Sequence, residues 1–134
     1  LFSRLEANKK WLVYFPLIIY WLVLFIATTL PGEDLPKTGV SDKIEHFTAY
    51  FILAVLLNLT LMFQNKYPKI KKKAWLYTLI FILTYAGLDE IHQIFIPGRD
   101  CDILDWLSDS SGVLLGLGFV KMLIYFLNYK PQTG

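Results

Sequence analysis

Four apolar runs, residues 11–30, 44–63, 74–96 and 103–127, make up most of this chain of 134 residues. About 20 helical residues cross a hydrocarbon core roughly 30 Å thick, and each run is long enough. The runs are apolar around most of the helix, whereas a helix of a soluble protein buries only one stripe. Hydrophobic residues make up 55% of the chain and charged residues 18%, too little charge to cover a soluble domain of this size. The expected fold is therefore all-α: a polytopic membrane protein with four transmembrane helices in a single domain, residues 1–134.

Run one follows Arg4, Lys9 and Lys10, as a signal peptide would. It is long, however, carries Trp11, Tyr14 and Trp21, and has no small-x-small cleavage site before Pro31. It is read as a retained helix that Pro16 bends or opens. Because the chain begins at Leu1, an initiator methionine is expected ahead of it.

Loop charges set the expected orientation. Between runs two and three lie Lys66, Lys69, Lys71, Lys72 and Lys73 with no acid. The N-terminal arm has Arg4, Lys9 and Lys10 against Glu6, and the C-terminal part has Lys121 and Lys130. The other two loops are acidic or mixed, with Glu33, Asp34, Lys37, Asp42 and Lys43 in one and Arg99, Asp100, Asp102 and Asp105 in the other. Positive-inside counting puts both termini and the lysine loop in the cytoplasm. Topology thus explains the net charge of +2, and no nucleic-acid partner is expected. An additional contact between the lysine run and anionic lipid is expected. Trp11 and Trp75 at one side and Trp106 at the other fit an interfacial aromatic belt. Cys101 is alone, which excludes an intramolecular disulfide and reads as a neutral filler.

The strong polar clusters fall where the runs meet one side of the membrane. Asp42, Lys43, Glu45 and His46 open run two, with Tyr50 a turn further in. Asp89, Glu90, His92 and Gln93 close run three, and Arg99, Asp102, Asp105 and Asp109 follow. Asp42 and His46 are four apart and share a helix face that Tyr50 continues. Asp89, His92, Gln93 and Ile96 share another, with Glu90 turned by about 100°. Ionisable groups at membrane depth are costly and by default mark a function. The outer loops also echo each other, as Leu30-Pro31-Gly32-Glu33-Asp34-Leu35 and Ile96-Pro97-Gly98-Arg99-Asp100, a hint of internal duplication.

Three readings of this constellation stay open. Two histidines with carboxylates on neighbouring helices can hold a divalent metal, with His46, Asp89, His92 and Asp105 as candidate ligands, or can act as general acid and base. The same groups with Arg99 can bind a phosphate-bearing or zwitterionic head group without chemistry. Or they can form an interhelical network, each polar pair worth about 0.6–2 kcal/mol. Gly112, Gly116 and Gly118 give a Gly-x-x-x-Gly spacing that packs helices within one chain; a homodimer is its alternative use.

In order, Asp42-Lys43-x-x-His46-Phe47-x-x-Tyr50, Asp89-Glu90-x-His92-Gln93-x-Phe95-x-Pro97-Gly98-Arg99, Asp102-x-x-Asp105 and Gly112-x-x-x-Gly116 resemble the VanZ-like family over residues 42–118. Asp109 departs from it, standing where the family is expected to carry Asn. The resemblance implies a small bacterial membrane protein of the cell envelope. The family's namesake is associated with resistance to teicoplanin-type lipoglycopeptides; no reaction comes with the resemblance. Together these readings point to an extracytoplasmic pocket in the bacterial plasma membrane, for a membrane lipid or lipid-linked cell-wall precursor. His46, Glu90, His92 and Asp105 are the expected chemical core. Asp42, Lys43, Tyr50, Asp89, Gln93, Arg99 and Asp102 are expected to bind or orient the substrate. Hydrolysis or group transfer at a lipid-linked phosphate or ester is the favoured chemistry; a non-enzymatic resistance or scaffold protein is the alternative.

Overall fold

The computed structural model describes residues 1–34 and 39–129; Leu35, Lys37 and Lys130 lie outside them. Every regular element among the described residues is helical. Helix α1 (Phe2–Ala7) leads to a π-helical turn (Lys10–Tyr14) that runs into α2 (Phe15–Thr29). Then come α3 (Asp42–Phe63), the short α4 (Pro68–Lys72), α5 (Ala74–Gln93) and α6 (Ile103–Phe126). Among the described residues four segments, Lys10–Thr29, Asp42–Phe63, Ala74–Gln93 and Ile103–Phe126, are long and apolar enough to cross a membrane.

Local chemistry explains where these segments differ from the apolar runs. Pro16 has no N–H and its ring crowds the carbonyl four residues back. The π turn ahead of it, closed by the Phe15 N–H on Lys10 O, widens the coil there and keeps the first span continuous. The third span stops at Gln93, short of residue 96. Ile96 precedes Pro97, which disfavours the α conformation, and the chain leaves in turns with Phe95 N–H on His92 O and Ile96 N–H on Gln93 O.

Helix α3 is the centre, packing on α2, α5 and α6. Its closest partner is α6. A Cβ on Gly112 would collide with Phe47 O, and one on Gly116 would come within 2.8 Å of Phe51 O. The Gly-x-x-x-Gly pair thus lets two backbones touch within one chain. Gly118 faces the other way, with nothing within 4 Å of a Cβ there. One core joins Leu17, Tyr50, Leu53, Ala54, Ile82, Ala86 and Val113. A second, toward the lysine loop, joins Phe2, Val13, Phe63, Ala74 and Val120. There Phe2 stacks on Tyr129 with centroids 4.7 Å apart, and Tyr129 OH donates to Glu6 Oε2 at 2.6 Å. Burial, and then the Glu6 carboxylate, push the Tyr129 phenol upward. Lys9 Nζ donates to Phe63 O at 2.6 Å and so places a cation at the C-terminus of α3, where the helix dipole favours it.

Little of the first span is buried, and Ile18, Leu22, Val23, Phe25 and Ile26 form an outward surface suited to lipid. Trp11 and Trp75 are exposed, as a belt requires, but Trp106 is half-buried. Its indole packs over Gly87 and donates from Nε1 to Leu83 O at 3.3 Å.

Candidate functional site

The alternation of the spans brings the N-termini of α3 and α6 and the C-termini of α2 and α5 to one end. Asp42 and Glu45 in the first turn of α3, and Asp105 in that of α6, complement the positive ends of those helices. The two Pro-Gly loops meet at this end. Gly32 N–H donates to Pro97 O at 3.1 Å, and a side chain on Gly32 would run into Gly98 O. Gly98 has φ +72°, which an L side chain rarely adopts.

Three polar layers descend from this end along one face of α3, at Lys43, His46 and Tyr50. In the first, Lys43 Nζ is bound by both Asp102 and Asp105. Asp102 is also the N-cap of α6, its Oδ1 accepting from Leu104 N–H at 2.8 Å, as an N-cap carboxylate should. The Lys43 hydrogen bond, then that from Leu104, hold the Asp102 carboxyl below the usual carboxylate range. Its contribution to stability is therefore present above the ordinary carboxylate pKa and lost only as the pH falls through the lowered one.

The second layer is centred on His46. Its Nδ1 lies 2.9 Å from Asp109 Oδ1 and 3.9 Å from Glu90 Oε1, while its Nε2 turns to Asp42 at 3.9 Å. Asp109 and Glu90 are 1% and 3% exposed, so the histidine's inner side is sealed. Glu90 Oε2 accepts from the Asp102 backbone N–H at 3.1 Å, joining α5 to the start of α6. Glu90 Oε1 and Asp109 Oδ2 are buried without a hydrogen-bond partner among the described residues. Such groups inside a span are costly and call for a proton, a cation or a ligand. In the third layer, Tyr50 OH donates to buried Asp89 Oδ2 at 3.3 Å.

A cavity of about 190 Å³ opens between α2 and α3 on the outer side of His46. Leu24, Ala27 and Thr28 form one wall, and Asp42, His46 and Tyr50 the other. Arg99 lies at its edge, with Nη2 donating to Ala27 O at 3.0 Å and Nε to Leu30 O at 3.4 Å, which caps the end of α2.

Most of the sequence-derived set thus comes together. His46, Glu90 and Asp105 share the α3–α5–α6 interface, and Asp42, Tyr50 and Arg99 line the cavity. Lys43 and Arg99 tie helices together. Gln93 is buried, with Nε2 unpartnered. His92 is half-buried and stacks on Phe25, ring centroids 6.4 Å apart. Asp109, left out of the expected core, lies 2.9 Å from His46 Nδ1; its spacing of four from Asp105 was the available signal. Among the described residues, two sets of groups approach closely enough to share a cation: Asp42, His46 and Asp105, or His46, Glu90 and Asp109, with ligand atoms within 4.8 Å. Neither includes Asp89 or His92.

The VanZ/LLP1 family model matches residues 6–126. The chain belongs to the VanZ/LLP1 family. No curated protein and no solved structure matches it. The match spans all four membrane helices of this VanZ/LLP1 membrane protein and the polar residues they carry. Arg99→Met is expected to release the end of α2 and to lower stability by about 1–2 kcal/mol, the range for hydrogen bonds from a charged donor. Thermal melting in detergent checks this; an unchanged melting point would mean the guanidinium caps nothing of consequence.

Proposed function

We propose that this VanZ/LLP1 protein is a bacterial plasma-membrane protein whose extracytoplasmic pocket binds and processes an envelope lipid or lipid-linked cell-wall precursor. The supporting observation is the setting of His46, which has one nitrogen held by buried Asp109 and the other turned toward a cavity. A carboxylate that fixes the ring in this way makes the free nitrogen a general base. In the favoured reaction His46 Nε2 takes a proton from water or a substrate hydroxyl. The oxygen then bonds to the phosphorus or carbonyl carbon of the lipid-linked group. The bond to the leaving oxygen breaks, and that oxygen takes the proton back from His46. Arg99 brings positive charge to the cavity edge, as an anionic head group requires.

The direct test places the protein in nanodiscs with bacterial envelope lipids in ¹⁸O-water and follows head groups by mass spectrometry. A lipid product made by the wild type and absent with His46→Gln is the expected result; ¹⁸O in it identifies hydrolysis. Retention of a phosphate-bearing lipid without conversion would reduce the reading to a non-enzymatic binder. Neither retention nor conversion would sink it. The proposed orientation, with both termini cytoplasmic, is tested at exposed Cys101, near Arg99 in the chain. A membrane-impermeant thiol reagent should label it in intact protoplasts; labelling only after permeabilisation would reverse the topology.

The unpartnered Glu90 Oε1 and Asp109 Oδ2 support a second reading, a divalent cation held by His46, Glu90 and Asp109. Bonds of about 2.1 Å separate neighbouring ligand atoms by about 3.0–3.4 Å. The observed 2.9 and 3.9 Å from His46 Nδ1 bracket that span. Titration with Co²⁺ should then give one bound equivalent that Glu90→Gln abolishes; an absence of stoichiometric binding rejects the ion.

A further inference from the structure

At the opposite end of the bundle, a groove of about 460 Å³ runs between α3, α5 and α6. Buried Met62, Ala74 and Val120 form its floor, and exposed Trp75 stands at its rim. Gly118 keeps it open, since a Cβ there would meet nothing within 4 Å. Lys71, Lys72 and Lys121 line the same groove. Among the described residues no carboxylate pairs with any of them; Lys71 donates to the neutral Asn65 Oδ1 at 2.7 Å. Lys121 stands five residues inside the end of α6, about 7.5 Å at 1.5 Å per residue. A cation within a span needs an anionic partner or must snorkel to the interface.

We propose that this groove binds one anionic phospholipid from the adjacent leaflet. An acyl chain would lie on the apolar floor across Gly118, and the phosphate would sit among Lys71, Lys72 and Lys121. The occupant follows from the setting. An apolar surface on a membrane span faces acyl chains, and a lysine cluster without acids at its mouth selects negative head groups. The amphipathic Trp75 ring at the rim suits the head-group level. The site is independent of the chemistry proposed at the polar end.

Native mass spectrometry of the protein, equilibrated with equal phosphatidylglycerol and phosphatidylcholine, tests the proposal. The wild type should retain phosphatidylglycerol in about tenfold preference, the size expected of one or two lysines at a membrane surface. Gly118→Leu should fill the groove and reduce retention of both lipids while the fold persists, because the new side chain enters open space. The double variant Lys72→Gln/Lys121→Gln should keep a bound lipid but lose the preference for phosphatidylglycerol. Equal retention of the two lipids by the wild type would overturn the proposal. So would undiminished retention by Gly118→Leu, or an intact preference in the lysine variant.

Discussion

Gly112→Ala is expected to lower the stability of the bundle by about 3 kcal/mol, at the upper end of the usual cost of overpacking. The new methyl group would collide with the carbonyl oxygen of Phe47 and lie 3.0 Å from the Phe51 nitrogen. Both are backbone atoms of α3, so no rotamer change relieves the contact and the two helices must separate. Since α3 and α6 also carry Lys43, His46, Asp105 and Asp109, separation would pull the polar layers apart as well. Gly118→Ala on the same helix is the control. Its methyl group meets nothing, and replacing a helix-interior glycine should stabilise by up to about 1 kcal/mol. Circular dichroism melts of both variants decide the matter. Coincident curves would mean that the close α3–α6 approach does not hold the fold together.

His46→Gln is expected to reduce any turnover at the polar end by about 100- to 10,000-fold, the usual contribution of a general base. Stability should hardly change, because a glutamine amide can still donate to Asp109. Asp109→Leu should cost turnover as much as His46→Gln, since it frees the ring to rotate. Asp109→Asn retains an acceptor oxygen for the Nδ1 proton; a loss of about tenfold is the expected result. Reading lipid turnover beside the melting point separates chemistry from architecture. Turnover falling only in step with the melting point across the three variants would make the layer a structural network.

The fold was legible because a membrane span is written along the chain itself, in length and apolarity. Its exceptions were local, such as the π turn ahead of Pro16 and the early end of α5 before Pro97. The site was legible only within each helix. The four-residue spacing of Asp42 and His46 predicts a shared face, and both residues do line one cavity. What faces what across helices depends on how each helix is rotated, which periodicity leaves open. His92 shares a face with Asp89, yet its ring turns to Phe25 on α2. Asp109 looked like one more carboxylate in a row of three, but close packing at Gly112, three residues on, presses that part of α6 onto α3. Arg99 and Lys43 were read as hands for a head group from charge alone. That they also bind across helices, Arg99 to Ala27 O and Leu30 O and Lys43 to Asp102 and Asp105, rests on where the ends of α2 and α6 fall.

The pinned ring of His46 also limits what the cavity can welcome. Whenever the imidazole is neutral and donates to Asp109, its proton sits at Nδ1 on that sealed side. The nitrogen it offers outward is then a bare lone pair. An incoming hydroxyl, amine or water finds an acceptor there, whereas an ester or ether oxygen finds electron density facing its own. Discrimination among ligands would therefore begin before any bond is made, and it would turn on whether the visiting group brings a hydrogen to share.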